Sequence, residues 1–278
     1  MLEAAEKGAT IAAFGETWLP GYPFFCWSRQ SELWFGTAAD YIANAFEIPS
    51  PTTDKLCAAA KQAGIDVVIG VAELDSRTQS TVYCTLLFIS REGEILGRHC
   101  KLKPTSAERT IWGDGDALGL KVHQRSYTKV SGLNCWEHNM VLPGYALMSE
   151  GTQIHIAAWS GGGKSPTPFD PIMERQLLLS RAFASQAGCY VIAAGGLRLK
   201  EHTPERLHNM HFDRTGDGYI IDPTGEVIAG PAVGETILIA KGSLENVRAA
   251  KAATDAAGHY SRPDIFRFSV NRGANALD

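Results

Sequence analysis

Apolar residues along this chain gather in short runs separated by turn residues, and no single long stripe dominates. Residues 10–14, 65–73, 81–89, 127–133, 153–159 and 189–194 are rich in Val, Ile, Ala and aromatic side chains, the pattern of buried strands. Between several of them the apolar positions fit helices, over roughly 37–47, 52–63, 141–150, 170–187 and 243–257. The segment 170–187 is marked at both ends, by Asp170 as an N-cap with Pro171 at the first helical position and by Gly188 just beyond. Strand, helix and strand recurring in this way predict an α/β sandwich with covered sheets.

Two segments repeat weakly. Residues 87–97 and 219–229 each hold an apolar strand, a Gly-Glu turn and an apolar pair, which predicts two β-hairpins with Gly93 and Gly225 supplying the positive φ of the turn. Their separation suggests two related half-sheets. The least regular stretches, 17–36, 99–120 and 197–216, are expected to be long loops near a site or an interface.

Composition adds bounds to this picture. With 278 residues, 45% of them hydrophobic, the chain can bury a large core, and no linker divides it, so a single domain over 1–278 is expected. The net charge of −4, from 26 basic and 30 acidic side chains, includes no run of one sign that would grip nucleic acid or a membrane surface. The expected partners are small molecules and copies of the chain itself. The six cysteines form no CxxC pair, and the N-terminus lacks the charged-then-apolar pattern of a secretory signal. Reduced thiols in the cytoplasm fit this best. No apolar stretch approaches the roughly 20 residues of a membrane helix.

Among the cysteines, Cys135 stands out because it ends the apolar run 127–133 and precedes a helical stretch. A thiol at such a turn is expected to feel backbone N–H groups and a helix dipole, which lower its pKa and can stabilise an anion. Glu16 follows the strand 10–14, walled by Trp18 and Tyr22, where a carboxylate is expected to hold its proton more tightly than in water. Lys101 also lies at a strand end, with Lys103 as a rival that alternation alone does not exclude. The other five cysteines carry no such context and are expected to be core residues.

Four blocks, in order, resemble the nitrilase branch of the carbon–nitrogen hydrolase superfamily: 14–23 around Glu16, 99–109 around Lys101, 133–138 around Cys135, and Gly258-His259-Tyr260-Ser261-Arg262-Pro263-Asp264-Ile265-Phe266. The resemblance implies a four-layer αββα sandwich that pairs into homodimers or larger homo-oligomers, including spirals, with 260–278 as an extension at an interface. It implies Glu16 as general base, Lys101 as electrostatic stabiliser, Cys135 as nucleophile and Glu108 as a second, orienting carboxylate. Trp136 and Glu137 match the Cys-Trp-Glu signature that separates nitrilases from amidases and carbamoylases, and the Trp136 N–H is assigned to the developing negative nitrogen. The implied substrate is a small-molecule nitrile, and no metal or organic cofactor is required.

Several positions depart from the resemblance or compete with it. The family has Pro where Gly15 stands and Arg where Cys100 stands, so a looser backbone at the base and a lost cation near Lys101 are expected. The family also opens with a strand and most of a helix ahead of the segment matching 2–8, so the sandwich is expected to lack its first strand. That leaves two rivals to a nitrilase: an amidase or carbamoylase on the same scaffold, and an impaired homologue that serves only in assembly or binding. Tyr22 and Trp159 are the expected pocket liners for substrate, with Trp27 and Trp112 behind them. His138 is expected to be a helix or interface residue. The run Gly161-Gly162-Gly163-Lys164-Ser165 lacks the first Gly of a phosphate loop, and His208 with His211 lacks further metal ligands at a suitable spacing.

Overall fold

The computed structural model describes residues 1–27, 31–162, 172–210 and 214–273. Two β-sheets lie face to face with helices on both outer sides. The first sheet runs β1 (Ile11–Ala13), β2 (Asp66–Leu74), β3 (Val82–Ile89) and β4 (Ile95–Cys100) in that order, with β1 parallel to β2 and the rest antiparallel. The second contains β5 (His123–Gln124), β6 (Lys129–Asn134), β7 (Ile154–Ala158), β8 (Tyr190–Ala194), the short β9 (Leu197–Arg198), β10 (Arg214–Ile221) and β11 (Val227–Val233). Its order is β11-β10-β8-β7-β6-β5, with β9 paired to β10 and the central β6, β7 and β8 parallel.

Alternation along the strands builds the layers. Val67, Ile69, Val71, Leu87 and Ile89 pack outward against α1 (Leu2–Glu6) and α3 (Pro51–Ala63) through Ala4 and Ala60. On the other face, Val68, Leu86 and Phe88 meet Val130, Ile156 and Ala158 between the sheets. The outward Leu133, Ala157 and Val191 then bury against α4 (Val141–Ser149) and α5 (Ile172–Ala187) through Ala146, Leu147, Phe183, Ala184 and Ala187. Helix, sheet, sheet, helix is the four-layer order expected. The remaining helices are α2 (Ser31–Asn44), whose Ala38, Tyr41 and Ala45 close one end of the first sheet, and α6 (Leu244–Ala253).

The strand runs read from the sequence appear within one or two residues of their expected limits. Helix α2 begins six residues earlier than its pattern suggested. Helix α3 is delimited as its sequence implies, by a Ser50–Thr53 capping box, Pro51 in the first turn and Gly64 at φ 68°. Both hairpins form, one in each sheet, with Gly93 at φ 82° and Gly225 at φ 91°. The Asp170 cap falls outside the described residues, as do Gly163, Lys164, Ser165 and His211.

The two sheets differ in width. Beyond the edge strand β1, the inner face of β8 and β10 looks into a groove of about 1820 Å3, with Ile192 and Ile220 on one wall and Ile11 and Ala13 on another. At one end this groove reaches Glu16, past Trp18, Tyr22, Phe24, Leu197 and Arg198. After α6 the chain runs over the surface without regular structure, pinned by Phe268 edge-on to Tyr145 and by Arg272 bonded to the Leu120 carbonyl and to Glu150. No described helix is long and apolar enough to cross a membrane.

Candidate active site

Three strand ends meet at one end of the sandwich. Glu16 follows β1, Lys101 follows β4 and Cys135 follows β6, and all three side chains are buried, none more than 2% exposed. Lys101 Nζ donates to Glu16 Oε1 at 2.7 Å and to Glu108 Oε2 at 2.6 Å, and lies over the Trp112 ring at 5.3 Å. Its backbone N–H extends the β3–β4 ladder to the Cys84 carbonyl, which fixes where its side chain starts. Lys103 points the other way, to exposed Asp114. The choice between the two lysines is thus made by where the strand ends.

Each carboxylate has a distinct job in this arrangement. Glu108 Oε2 also accepts from the Thr105 N–H and its Oε1 from the Tyr22 hydroxyl, both at 2.7 Å, so the group is fully held. Glu137 accepts from His99 Nε2 at 3.1 Å, from the Leu102 N–H at 2.8 Å and from the Asn134 N–H at 2.8 Å. Leu102 is next to Lys101 and Asn134 next to Cys135, so one carboxylate ties the amine-bearing segment to the thiol-bearing turn. His99 completes this brace and was not singled out in the sequence. Its advance signals are that it opens the block 99–109 and stands two residues before Lys101, on the same side of an extended chain.

Glu16 differs from both. Its N–H donates to the Trp159 carbonyl at 3.0 Å, and Oε1 accepts from Lys101 and from the Cys84 thiol at 3.5 Å. Oε2 is buried and has no hydrogen-bond partner among the described residues, an acceptor left open towards the groove. Burial raises the Glu16 pKa to about 7, with Lys101 pulling it down and Glu108 pushing it up. For Lys101 burial opposes the charge, yet Glu16, Cys135 and Glu108 outweigh it and hold the ammonium well above the usual lysine range.

Cys135 departs from the simple expectation. The residue has φ 49°, between β6 and a 3-10 helix, Cys135–Asn139, a conformation that costs a non-glycine residue roughly 1–3 kcal/mol and persists only where its surroundings enforce it. Its thiol pKa is not lowered; burial first, and then the charge of Glu16, push it well above the ordinary value, against Lys101 and the Ser160 N–H. Its surroundings therefore favour the protonated thiol, which reacts as a thiolate only where a base takes its proton.

The remaining expectations divide. Tyr22 is at the groove and holds Glu108, with Trp27 Nε1 donating to its hydroxyl at 3.0 Å. Trp159 is 1% exposed, with its indole N–H donating to Ser180 at 3.1 Å and its ring stacked on His138, so its side chain is core and only its carbonyl reaches the site. Trp112 is likewise core. Trp136 is half-buried under the Arg175 guanidinium, 5.3 Å from its ring. Gly15 does not loosen the backbone beside Glu16: a Cβ there would meet the Trp159 carbonyl at 2.7 Å and the Gly196 nitrogen at 2.8 Å, so close packing demands glycine. Cys100 faces Thr85 and Glu73 rather than Lys101, and Arg98 supplies the cation that Glu73 pairs with.

The family model of the carbon–nitrogen hydrolases matches residues 1–252. The chain belongs to the carbon–nitrogen hydrolase family. It is 53% identical to a protein named Nitrilase 2 from an unknown prokaryotic organism, over 97% of this chain and 84% of that protein. An aliphatic nitrilase of Rhodococcus rhodochrous is 32% identical over 97% of the chain and 75% of its own length. Among solved structures, the carbon–nitrogen hydrolase of Helicobacter pylori G27 superposes with a TM-score of 0.74 at 20% identity, covering 95% of this chain and 88% of that one. That last likeness speaks for the carbon–nitrogen hydrolase fold alone.

Proposed function

We propose that this carbon–nitrogen hydrolase is a nitrilase, which turns a small-molecule nitrile into a carboxylic acid and ammonia. The observation that carries the reading is the convergence of a buried base, a buried ammonium and a buried thiol at three strand ends. The nitrilase names of relatives up to 53% identical over most of the chain favour this substrate class over amides.

In the proposed sequence, Glu16 takes the Cys135 proton as sulfur adds to the nitrile carbon, and one electron pair of the C≡N bond moves to nitrogen. Lys101 and the Trp136 N–H meet that negative nitrogen, which receives the proton to give a covalent thioimidate. A first water, deprotonated by Glu16, adds to the same carbon; the C–N bond then breaks and ammonia leaves a thioester. A second water releases the acid and returns the thiol. Glu108 keeps Lys101 charged and in place, and Glu137 keeps the amine and the thiol in register. Tyr22 holds Glu108 from the groove side. The chain is further proposed to act as a homo-oligomer in the cytoplasm.

A panel of nitriles and matched amides scored for ammonia tests the reading, with Cys135→Ala as the control. Ammonia from nitriles with wild type alone is the expected result. Turnover of amides only would replace the nitrilase with an amidase, and no turnover of either would leave the assembly or binding protein.

A further inference from the structure

On the face of the second sheet that α5 covers lies a row of polar groups that the proposed chemistry leaves unused. His138 Nδ1 is 2.7 Å from the Cys135 carbonyl oxygen, and His138 Nε2 is 3.0 Å from His155 Nε2. The row continues from His155 Nδ1 to Ser131 Oγ at 2.8 Å and from Ser131 Oγ to Thr152 Oγ1 at 2.7 Å. Ser131, Thr152 and His155 are fully buried. The His138 ring stacks on Trp159 at 4.9 Å and the His155 ring on Phe183 at 3.8 Å, so both imidazoles are clamped by aromatic faces.

One arrangement of protons satisfies this row. A carbonyl oxygen only accepts, so His138 must carry its proton on Nδ1. Burial lowers the pKa of His138 to about 4 and that of His155 well below the usual range, so each ring is neutral with a single proton. His138 Nε2 is then an acceptor and His155 donates to it from Nε2. His155 Nδ1 in turn accepts from the Ser131 hydroxyl, whose oxygen accepts from Thr152 at 2.7 Å in preference to the longer 3.3 Å contact of the Thr152 hydroxyl with the Ile154 carbonyl. All donors point one way, towards Cys135, an order in which each bond polarises the next.

The group at the end of the row is the peptide joining Cys135 to Trp136. Its C=O and N–H lie in one rigid plane and point in opposite directions, so a bond that fixes the carbonyl also aims the Trp136 N–H. A bond that fixes this turn matters here because Cys135 holds a left-handed φ of 49°, a conformation that persists only where its surroundings enforce it. We propose that His138, oriented by His155 and Ser131, is a positioning residue that aims the Trp136 N–H at the negative nitrogen of the substrate. The proposal rests on the nitrilase reading.

The test compares wild type, His138→Phe and His138→Asn on a nitrile that wild type turns over. Phenylalanine fills the ring's place without a donor, and asparagine puts an N–H where Nδ1 was while leaving space behind it. For His138→Phe, kcat should fall about 10- to 100-fold, below the full loss of one such donor, with KM changed less than about twofold. Alkylation of Cys135 by iodoacetamide, in which no charge develops on nitrogen, should keep its rate. His138→Asn should recover most of the lost kcat. Equal losses in both variants, or alkylation falling together with kcat, would reduce His138 to packing, and an unchanged kcat in His138→Phe would remove the role. Nitrogen NMR of the histidine-labelled wild type should show a proton on Nδ1 of His138 and on Nε2 of His155. The opposite tautomers overturn the proposal even if a variant fails to fold. A wild type that hydrolyses no nitrile, yet shows these tautomers, would sink the nitrilase reading and leave the row standing.

Discussion

Glu16 sets the pH dependence expected of this site. As the proposed base it works only when ionised, and burial has moved its pKa from the ordinary carboxylate range to about 7. Activity should therefore rise with pH through about 7, which a kcat/KM profile between pH 5 and 9 measures; a profile already flat by pH 5 would contradict the assignment. Glu108 adds negative charge beside Glu16 and raises its pKa, so Glu108→Gln should move that acidic limb to lower pH. The same variant frees Lys101 from one of its two anchors, and kcat should drop roughly 10- to 100-fold, an amount typical of a misplaced electrostatic group. The three central residues were legible because each stands at a strand end inside a block that resembles the family; strand position alone left Lys103 beside Lys101. The direction of the Cys135 pKa was not, because it is set by burial and by two carboxylates distant in sequence. Trp159 misled for a related reason, since a large aromatic at a strand end reads the same whether it faces a pocket or a helix.

At the scale of elements, the site depends on how two strand-end turns are held together. Glu137 does this from the 3-10 helix after β6, reaching the segment after β4. Glu137→Ala would strand two buried N–H groups and His99, and should cost about 3–5 kcal/mol, read as a lower midpoint in urea or heat. Glu137→Gln, which keeps the shape, should cost less. Gly15→Ala tests the close approach after β1. It should destabilise by about 1–3 kcal/mol, because Trp159 and Gly196 meet the new carbon with backbone atoms that cannot swing aside. Long elements were readable from pattern because burial on both faces leaves continuous Val, Ile and Ala. The short α1, β5, β9 and the 3-10 helices carry too few residues to show a period. The brace through His99 and Glu137 is invisible in the same way, as it exists only once β4 and β6 stand in facing sheets.

Seen as a whole molecule, the sandwich shows large apolar side chains outside its layers. Val141 and Leu142 at the start of α4 and Leu178 on α5 are 80%, 66% and 64% exposed. These helices cover the second sheet, and apolar side chains bared there fit the self-association proposed above. Leu142→Glu with Leu178→Glu should shift the chain to a smaller species in light scattering, while a monomeric wild type would contradict the proposal. Strand and helix alternation implied an α/β sandwich with covered sheets, and the four-layer order followed from the family resemblance alone.

The central claim is that Cys135, with Glu16 and Lys101 around it, forms a covalent bond to the nitrile carbon. Rapid quenching during turnover, followed by intact and peptide mass spectrometry, tests it most directly. A substrate-sized adduct confined to the Cys135 peptide, absent in Cys135→Ala, is the predicted result. Nitrile hydrolysis that proceeds with no adduct, or with the adduct on another residue, would contradict the account.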